Sequence, residues 1–177
     1  GGWDFKKDYF NYYEWQKDLT NLDIISFIDP AISQKQEADF TAIITIWVDA
    51  ETNLIYLLEV KKLKEQPDEI INQTFDTAQR FMSAWKSYKC WIEVVQYQKM
   101  LALEITKQMK LRNIFFHLEE VRPQGEKNAR IKSTLQPRYS SGSIIHQKYW
   151  NNVPDLESEL LKFPNGKHDD EIDALAS

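Results

Sequence analysis

The stretch DFTAIITIWVDAETNLIYLLEVKKL, residues 39–63, constrains the fold of this chain more than any other part of its sequence. It contains two runs rich in β-branched and aromatic residues, which favour strands. Between the runs, residues 49–53 (DAETN) have the composition of a turn. The two runs are therefore predicted to pair as an antiparallel hairpin.

The order of the neighbouring elements extends this hairpin into a mixed sheet. Before it, DIISFIDPA is typical of an apolar strand, which stops at Asp29-Pro30 because proline cannot donate to a central ladder. After it, apolar residues recur at helical spacing from Pro67 to Trp85, which predicts a first helix. A fourth strand, CWIEVV, follows. The next segments are a second helix, YQKMLALEITKQMKLR, and a fifth strand, IFFHLEEV. This order predicts an α/β fold with a mixed central sheet flanked by helices, in which the first three strands are antiparallel and the later strands parallel.

The two ends of the chain carry other patterns. Residues 1–22 are aromatic and amphipathic, and they predict either a helix or a linker. NARIKSTLQPRY predicts a helix ended by Pro137, and RYSSGSIIHQ predicts an additional β-hairpin that turns at Ser141-Gly142. VPDLESELLKF predicts a further helix, and a closing helix is expected from about Asp169.

Length and composition indicate one globular domain, residues 1–177, because 42% hydrophobic content can bury a sizeable core. The apolar runs are shorter than the roughly 20 residues of a membrane span, so no membrane partner is expected. The single Cys90 cannot form an internal disulfide, which fits a reducing cytoplasm. Cys90, His117 and His146 are interpreted as packing residues.

The net charge of -5 argues against a uniformly basic, nucleic-acid-binding surface. Basic residues nevertheless gather in EVKKLK, in KQMKLR and in EKNARIK, so a locally basic groove on an acidic protein is compatible with the sequence. Each run taken alone is equally typical of a solvated helix or strand end.

Two acids lie within or at the end of predicted strands. Asp29 ends the first strand, where an Asp-Pro turn is the simpler interpretation. Glu93 lies inside an apolar run, and a buried carboxylate is costly unless a cation compensates its charge. Because strands one and four of such a sheet can lie side by side, Asp29 and Glu93 are candidates for one site at a sheet edge.

A third group of acids opens the last helix, in FPNGKHDDEIDALA. Acidic residues at a helix start are favoured by the helix dipole, which explains such a cluster without any further function. The buried stripe is predicted at Ile172, Leu175 and Ala176, which places Asp169 and Asp173 along one edge and Asp170 further round. Asp169 and Asp170 stay joint candidates because helix starts are uncertain by a residue or two, with His168 and Asp173 as auxiliary candidates.

Carboxylates that converge from these three places predict a metal site. Two carboxylates about 4 Å apart repel by roughly 4 kcal/mol at an effective dielectric of 20, so several converge stably only around a cation. Oxygen ligands alone suit a hard ion such as Mg²⁺ or Mn²⁺, and two such ions about 4 Å apart promote phosphodiester cleavage.

The chain resembles the C-terminal nuclease domain of the large terminase subunit of tailed bacteriophages, which has an RNase H-like fold. The markers cover nearly the whole chain, and they are SFIDPAISQKQEADFTAI, WIEVVQ, KNARIKSTLQPRYSSGSIIH and FPNGKHDDEIDALA. The first and last are the specific ones. The resemblance implies a metal-dependent DNA endonuclease of low sequence specificity that cuts concatemeric viral DNA when packaging starts and ends. It assigns the catalytic and metal-binding roles to Asp29, Glu93, Asp169 and Asp170, with two Mg²⁺ or Mn²⁺ ions as cofactors.

The resemblance also implies partners and a location. Double-stranded DNA is the expected substrate, with its phosphates bound by Lys127, Arg130 and Lys132. Large terminase subunits carry an upstream ATPase domain with a glycine-rich phosphate loop, and none of the five glycines here has that spacing. The chain is therefore expected to be the nuclease domain alone, with the ATPase domain, the portal protein and the small terminase subunit as partners at the procapsid in the bacterial cytoplasm.

Two alternatives stay open at this point. Another RNase H-like enzyme, such as a Holliday-junction resolvase or a transposase core, would use the same acids on a different DNA structure. A non-catalytic DNA-packaging or portal-docking module would use the acidic cluster only as a helix start.

Overall fold

The computed structural model describes residues 4–13, 23–30, 41–64, 66–82, 87–94, 99–122, 127–147, 153–163 and 170–176. Within these ranges, the backbone alone is described for Lys127, Asn128, Arg130, Ile131, Asp170, Glu171 and Asp173. The strands are β1 (Asn11–Tyr13), β2 (Asp23–Asp29), β3 (Thr41–Asp49), β4 (Leu54–Leu63), β5 (Ser87–Glu93), β6 (His117–Val121) and β7 (Ile144–Gln147). The helices are α1 (Pro67–Met82), α2 (Lys99–Arg112), α3 (Lys127–Ser140), α4 (Val153–Lys162) and α5 (Asp170–Ala176).

Across the described ranges, seven strands form one sheet in the order β1-β7-β4-β3-β2-β5-β6. β2, β3 and β4 are antiparallel neighbours, whereas β5 pairs with β2, and β6 with β5, in parallel. The predicted mixed sheet with three antiparallel strands is therefore confirmed, as is the adjacency of the first and fourth predicted strands.

The β3–β4 hairpin has the turn that its sequence predicts. Asp49 accepts a hydrogen bond from the backbone N–H of Glu51 at 3.0 Å, and its carbonyl accepts one from Asn53 at 2.8 Å. Asn53 has φ of 58°, a left-handed conformation that asparagine tolerates better than most residues. Local turn chemistry thus sets the register next to the turn, from Asp49 opposite Leu54 to Ile46 opposite Leu57, and the register then shifts between Ile46 and Thr45.

Helices cover both faces of the sheet. On one face, α1 begins at Pro67, a favoured first helical position, and α1 and α2 bury apolar side chains against Ile28, Ile43 and Ile92. On the other face, the core joins Phe27, Ala42 and Ile44 to apolar residues of the last three helices, α3, α4 and α5. Along β2, β3 and β5, side chains alternate from one core to the other.

Of residues 1–22, the structure describes residues 4–13, which do not form the helix that was one of the two interpretations of this segment. In residues 4–13 the structure has a 3-10 turn at Lys7–Tyr9 and then β1, which pairs in parallel with β7. Phe5 and Phe10 are buried against Tyr139, at ring-centroid distances of 5.8 Å. Aromatic burial against the rest of the fold therefore overrides the local helical pattern.

The segment RYSSGSIIHQ is not a β-hairpin, and Pro137 does not end the preceding helix. α3 continues to Ser140, and a turn at Ser141–Gly142 leads into β7. Leu135 and Tyr139, four residues apart, are both buried and hold the turns on either side of the proline against the core. Gly142 has φ of 75°, which only glycine adopts easily, so the residue predicted to turn a hairpin instead turns a helix into a strand.

The predictions for isolated core residues have mixed outcomes. Cys90 is buried, which raises the pKa of its thiol to about 12. His146 is fully buried, and its Nε2 lies 2.7 Å from the hydroxyl of Tyr139. The prediction for His117 is wrong: it is 59% exposed because β6 is the edge strand. None of the helices in the described ranges is both long and apolar enough to span a membrane.

Candidate metal centre

Asp29 and Glu93 lie next to each other at the ends of two parallel strands. The β2–β5 register runs from Asp23 opposite Ser87 to Ile28 opposite Ile92. Asp29 and Glu93 are the residues that follow this last pair, and each is the final residue of its strand. Parallel strands are about 4.8 Å apart, so the pairing brings the two acidic positions together at one sheet edge, as predicted.

Both acids lie on the sheet face that carries α5. Ile28 and Ile92 belong to the core under α1 and α2, whereas Phe27 and Trp91 pack with the opposite core. Because side chains alternate along a strand, Asp29 shares its face with Phe27, and Glu93 shares its face with Trp91. Glu93 is only 8% exposed, so its carboxylate is largely shielded from water.

Helix α5 packs directly over these strands. Its Ile172, Ala174 and Ala176 are buried in the same core as Phe27 and Ile44. Ala174 and Leu175 also line a small apolar cavity with residues of β2, β3 and β5, namely Ile25, Phe27, Ile44, Ile46 and Trp91. The predicted burial of Ile172 and Ala176 is confirmed, Leu175 is only partly buried, and Ala174 is an additional buried residue.

Contacts of Glu159 connect the first turn of α5 to the strand row that contains Asp29. The backbone N–H of Ile172 donates to Glu159 Oε2 at 3.1 Å, and Glu159 Oε1 lies 3.7 Å from Lys62 Nζ. Lys62 pairs with Ala42 across β4 and β3, and Ala42 pairs with Asp29 across β3 and β2. These three residues form one cross-strand row, so the contacts fasten the start of α5 beside the row that ends in Asp29.

The other predicted acids lie at this helix start. Asp170 is the first residue of α5, and Asp173 lies in its middle, but their side chains are outside the described residues. Asp169 and His168 are also outside the described residues. The structure thus brings Asp29, Glu93 and the start of α5 to one end of the sheet, and the ligand roles of Asp169 and Asp170 stay predictions.

The chemistry of the placed acids fits a hard divalent cation. Two negative charges about 5 Å apart repel by roughly 3 kcal/mol at an effective dielectric of about 20, and a shared cation offsets this repulsion. Among the residues that the structure describes, no group of three or more His, Cys, Asp or Glu side chains could hold a metal ion. Asp29 and Glu93 are therefore candidates for part of a carboxylate set, which additional oxygen ligands from the start of α5 would complete.

Of the basic residues predicted to bind DNA, Lys132 is the one with a described side chain. It is 64% exposed on α3, and its Nζ lies 3.5 Å from Asp4 Oδ1, a distance typical of a weak surface ion pair. Lys127 and Arg130 lie on the first turns of the same helix, with side chains outside the described residues. α3 packs against α5, so these three residues belong to the helix layer that carries the candidate centre.

Two residues of this region were missed by reasoning from the sequence. Lys62 was interpreted only as part of a basic run, although strand alternation directs Lys61 and Lys62 to opposite faces. Glu159 lies on the buried side of α4 with Leu156 and Leu160, and it is itself 6% exposed. An acid on the apolar stripe of an amphipathic helix is the signal that could have identified it.

The fold is shared with solved terminase nuclease domains. The human cytomegalovirus terminase nuclease domain, in a Mn-soaked and inhibitor-bound structure, superposes with a TM-score of 0.65 over 93% of this chain and 87% of that one, at 14% identity. The P22 large terminase nuclease domain gives a TM-score of 0.60 over 99% and 86%, at 16% identity. The nuclease domain of the SPP1 bacteriophage large terminase, solved with bound Mn, gives 0.59 over 97% and 96%, at 14% identity.

No protein-family model and no curated protein sequence matches the chain. At these identities the superpositions establish the fold, which is RNase H-like as predicted, with a mixed sheet flanked by helices. The likeness covers almost the full length of this chain and of the three solved domains.

Proposed function

We propose that this chain is a metal-dependent DNA endonuclease of the terminase type, which cuts concatemeric viral DNA when genome packaging starts and ends. The observation that carries the proposal is the meeting of Asp29 and Glu93 at adjacent strand ends, beneath the helix that begins with the acidic cluster. The likeness to terminase nuclease domains, two of them solved with Mn, supports the choice of activity and of metal.

In this proposal, Asp29, Glu93, Asp169 and Asp170 hold two Mg²⁺ or Mn²⁺ ions through carboxylate oxygens. Bound divalent ions lower the pKa of water and stabilise the leaving oxygen in phosphodiester hydrolysis. Lys127, Arg130 and Lys132 bind backbone phosphates, which gives salt-sensitive binding with little sequence preference. His168 and Asp173 are auxiliary residues that orient ligands or contact phosphate.

The proposal extends to the assembly in which the domain acts. The nuclease works beside a terminase ATPase domain, the small terminase subunit and the portal protein, at the procapsid in the bacterial cytoplasm. Support for this setting comes from the sequence resemblance to bacteriophage terminases and from the shared fold.

The deciding experiment is cleavage of supercoiled plasmid with Mn²⁺, Mg²⁺, Ca²⁺ or EDTA. Asp29→Asn is compared with Asp23→Asn, a matched change at the exposed start of the same strand. We expect cutting with Mn²⁺ or Mg²⁺ that disappears in EDTA and in Asp29→Asn but persists in Asp23→Asn, with circular dichroism unchanged.

Two other outcomes point elsewhere. Absence of cutting in every metal, together with absence of metal binding by calorimetry, would contradict the nuclease proposal and favour the docking module. Strong preference for a four-way junction over linear and supercoiled duplex would favour a resolvase instead.

A further inference from the structure

We infer that Glu159 is a positioning residue for the candidate metal centre, because its carboxylate fastens the acid-bearing start of α5 to the row that contains Asp29. The inference presupposes the proposed metal-dependent activity. Glu159 is separate from the acids that are proposed as ligands, and it acts on them through the backbone of α5.

The carboxylate of Glu159 contacts two other elements of the described structure, α5 and β4. Oε2 accepts the backbone N–H of Ile172 at 3.1 Å, within the first turn of α5. Oε1 lies 3.7 Å from Nζ of Lys62, whose side chain is only 17% exposed. One side chain of α4 therefore joins a backbone group of α5 to a cation of β4.

Packing alone does not account for a carboxylate at this position. Glu159 lies on the apolar side of α4 near Leu156 and Leu160, both fully buried. A buried ion pair is often no more stabilising than well-packed apolar residues of similar size. An apolar residue there could fill the space, but it could not accept a hydrogen bond from the N–H of Ile172 or form an ion pair with Lys62.

The contact between Glu159 and Lys62 is relevant to the metal because Lys62 lies in the same cross-strand row as Asp29. Lys62, Ala42 and Asp29 are successive cross-strand partners on β4, β3 and β2. Glu159 thus fixes the position of Ile172, two residues after Asp170, relative to the strand row of Asp29. Residues that orient ligands without touching the metal commonly alter metal affinity tenfold to about 100-fold when they are removed.

Strand β4, which carries Lys62, also carries a residue that serves as a matched control, Glu59. Glu59 is 1% exposed and pairs with Arg80 of α1, Oε1 to Nη2 at 2.7 Å. It lies on the opposite face, because its cross-strand partner Thr45 is one residue out of phase with Ile44 and Ala42. Glu59→Gln therefore removes a buried, ion-paired carboxylate from β4 without touching α5.

The experiment compares the unaltered chain with Glu159→Ala, Glu159→Gln and Glu59→Gln. Calorimetry measures Mn²⁺ binding, hydrogen exchange measures the amides of residues 170–176, and thermal unfolding measures stability. We expect Glu159→Ala to weaken Mn²⁺ binding about tenfold or more and to accelerate exchange in α5. Glu159→Gln keeps an oxygen for Ile172 and should show a smaller effect. Glu59→Gln should lower the melting temperature without changing Mn²⁺ affinity.

The dependence of the DNA cleavage rate on Mn²⁺ concentration distinguishes a positioning role from a merely structural one. Excess Mn²⁺ should restore the rate of the Glu159 variants, because the ligands are displaced and not removed. Equal Mn²⁺ affinity in the unaltered chain and in folded Glu159→Ala would overturn the inference while leaving the proposed function intact. Failure of the unaltered chain to bind Mn²⁺ would overturn both. If Glu159→Ala does not fold, Glu159→Gln, which removes the charge that faces Lys62, decides instead: unchanged Mn²⁺ affinity in this variant would overturn the inference.

Discussion

Two groups of acidic side chains, one at α1 and one beside α5, are arranged in opposite ways. On the α1 face, Glu59 pairs with Arg80, and Asp76 lies 3.1 Å from Arg80 Nε and 3.0 Å from Lys61 Nζ. On the α5 face, Asp29 and Glu93 lie side by side at adjacent strand ends. The first arrangement joins opposite charges and stabilises the packing of a helix. The second places two acidic positions next to each other, an arrangement that a bound cation would stabilise.

The largest expected effect is on the rate of DNA cleavage. Glu93→Gln should reduce plasmid cleavage by at least about 1,000-fold, or roughly 4 kcal/mol, because it removes a proposed metal ligand while keeping the size of the side chain. Initial rates at saturating Mn²⁺ measure this effect. Glu120→Gln, at an exposed position of the edge strand β6, is the matched control and should leave the rate unchanged. Residual activity above a tenth in folded Glu93→Gln would remove Glu93 from the proposed site.

A smaller effect is expected on the free energy of unfolding when one larger side chain is placed in each of the two cores. Ala42 and Ala78 are both fully buried, Ala42 under α5 and Ala78 within α1 on the other face. Replacing either with leucine should cost about 1–3 kcal/mol, because a packed core has no room for the added atoms. Urea unfolding measures that cost.

Metal affinity separates the two alanine variants. Ala42→Leu should also weaken Mn²⁺ binding, because Ala42 lies in the row between Asp29 and Lys62. Ala78→Leu should not. If the two variants weaken Mn²⁺ binding equally, the metal centre depends on general stability and not on the position of α5.

The smallest expected effect is a pH dependence on the α1 face. Burial raises the pKa of Asp76, but hydrogen bonds and charge from Lys61 and Arg80 outweigh it, so the pKa is lowered below its ordinary value of 3.8. A lowered pKa means that the ionised carboxylate stabilises the fold above about pH 4, and that this contribution is lost as the pH falls through the folded-state pKa. Since the side chain is 54% exposed, screening limits the contribution to below about 1 kcal/mol.

Asp76→Asn tests this pH dependence. The variant should be slightly less stable than the unaltered chain near neutral pH and equally stable in acid, as measured by urea unfolding across the pH range. A difference that persists unchanged into acid would show that the loss comes from hydrogen-bond geometry and not from charge.

Several elements follow from the sequence because their causes are local. The turn at Asp49–Asn53 sets the β3–β4 hairpin, and α1 begins at Pro67 with apolar residues at helical spacing. The order of strands and helices was enough to predict the pairing of β2 with β5, and hence the neighbouring positions of Asp29 and Glu93. Few other sheet orders accommodate such a sequence of elements.

Tertiary contacts decided what local pattern could not. Burial of Phe5 and Phe10 makes the N-terminal segment an edge strand, and burial of Leu135 and Tyr139 carries α3 past Pro137. The link from Glu159 to Lys62 and Ile172 joins residues from three parts of the chain, and periodicity carries no information about such contacts.

The sequence by itself therefore determined the mixed sheet and two acids at its edge, because turn chemistry and side-chain period act over a few residues. Only the tertiary structure decided which face those acids share and what fastens α5 beside them. These features depend on the burial of side chains that are distant in sequence, whose summed free energy exceeds local preferences.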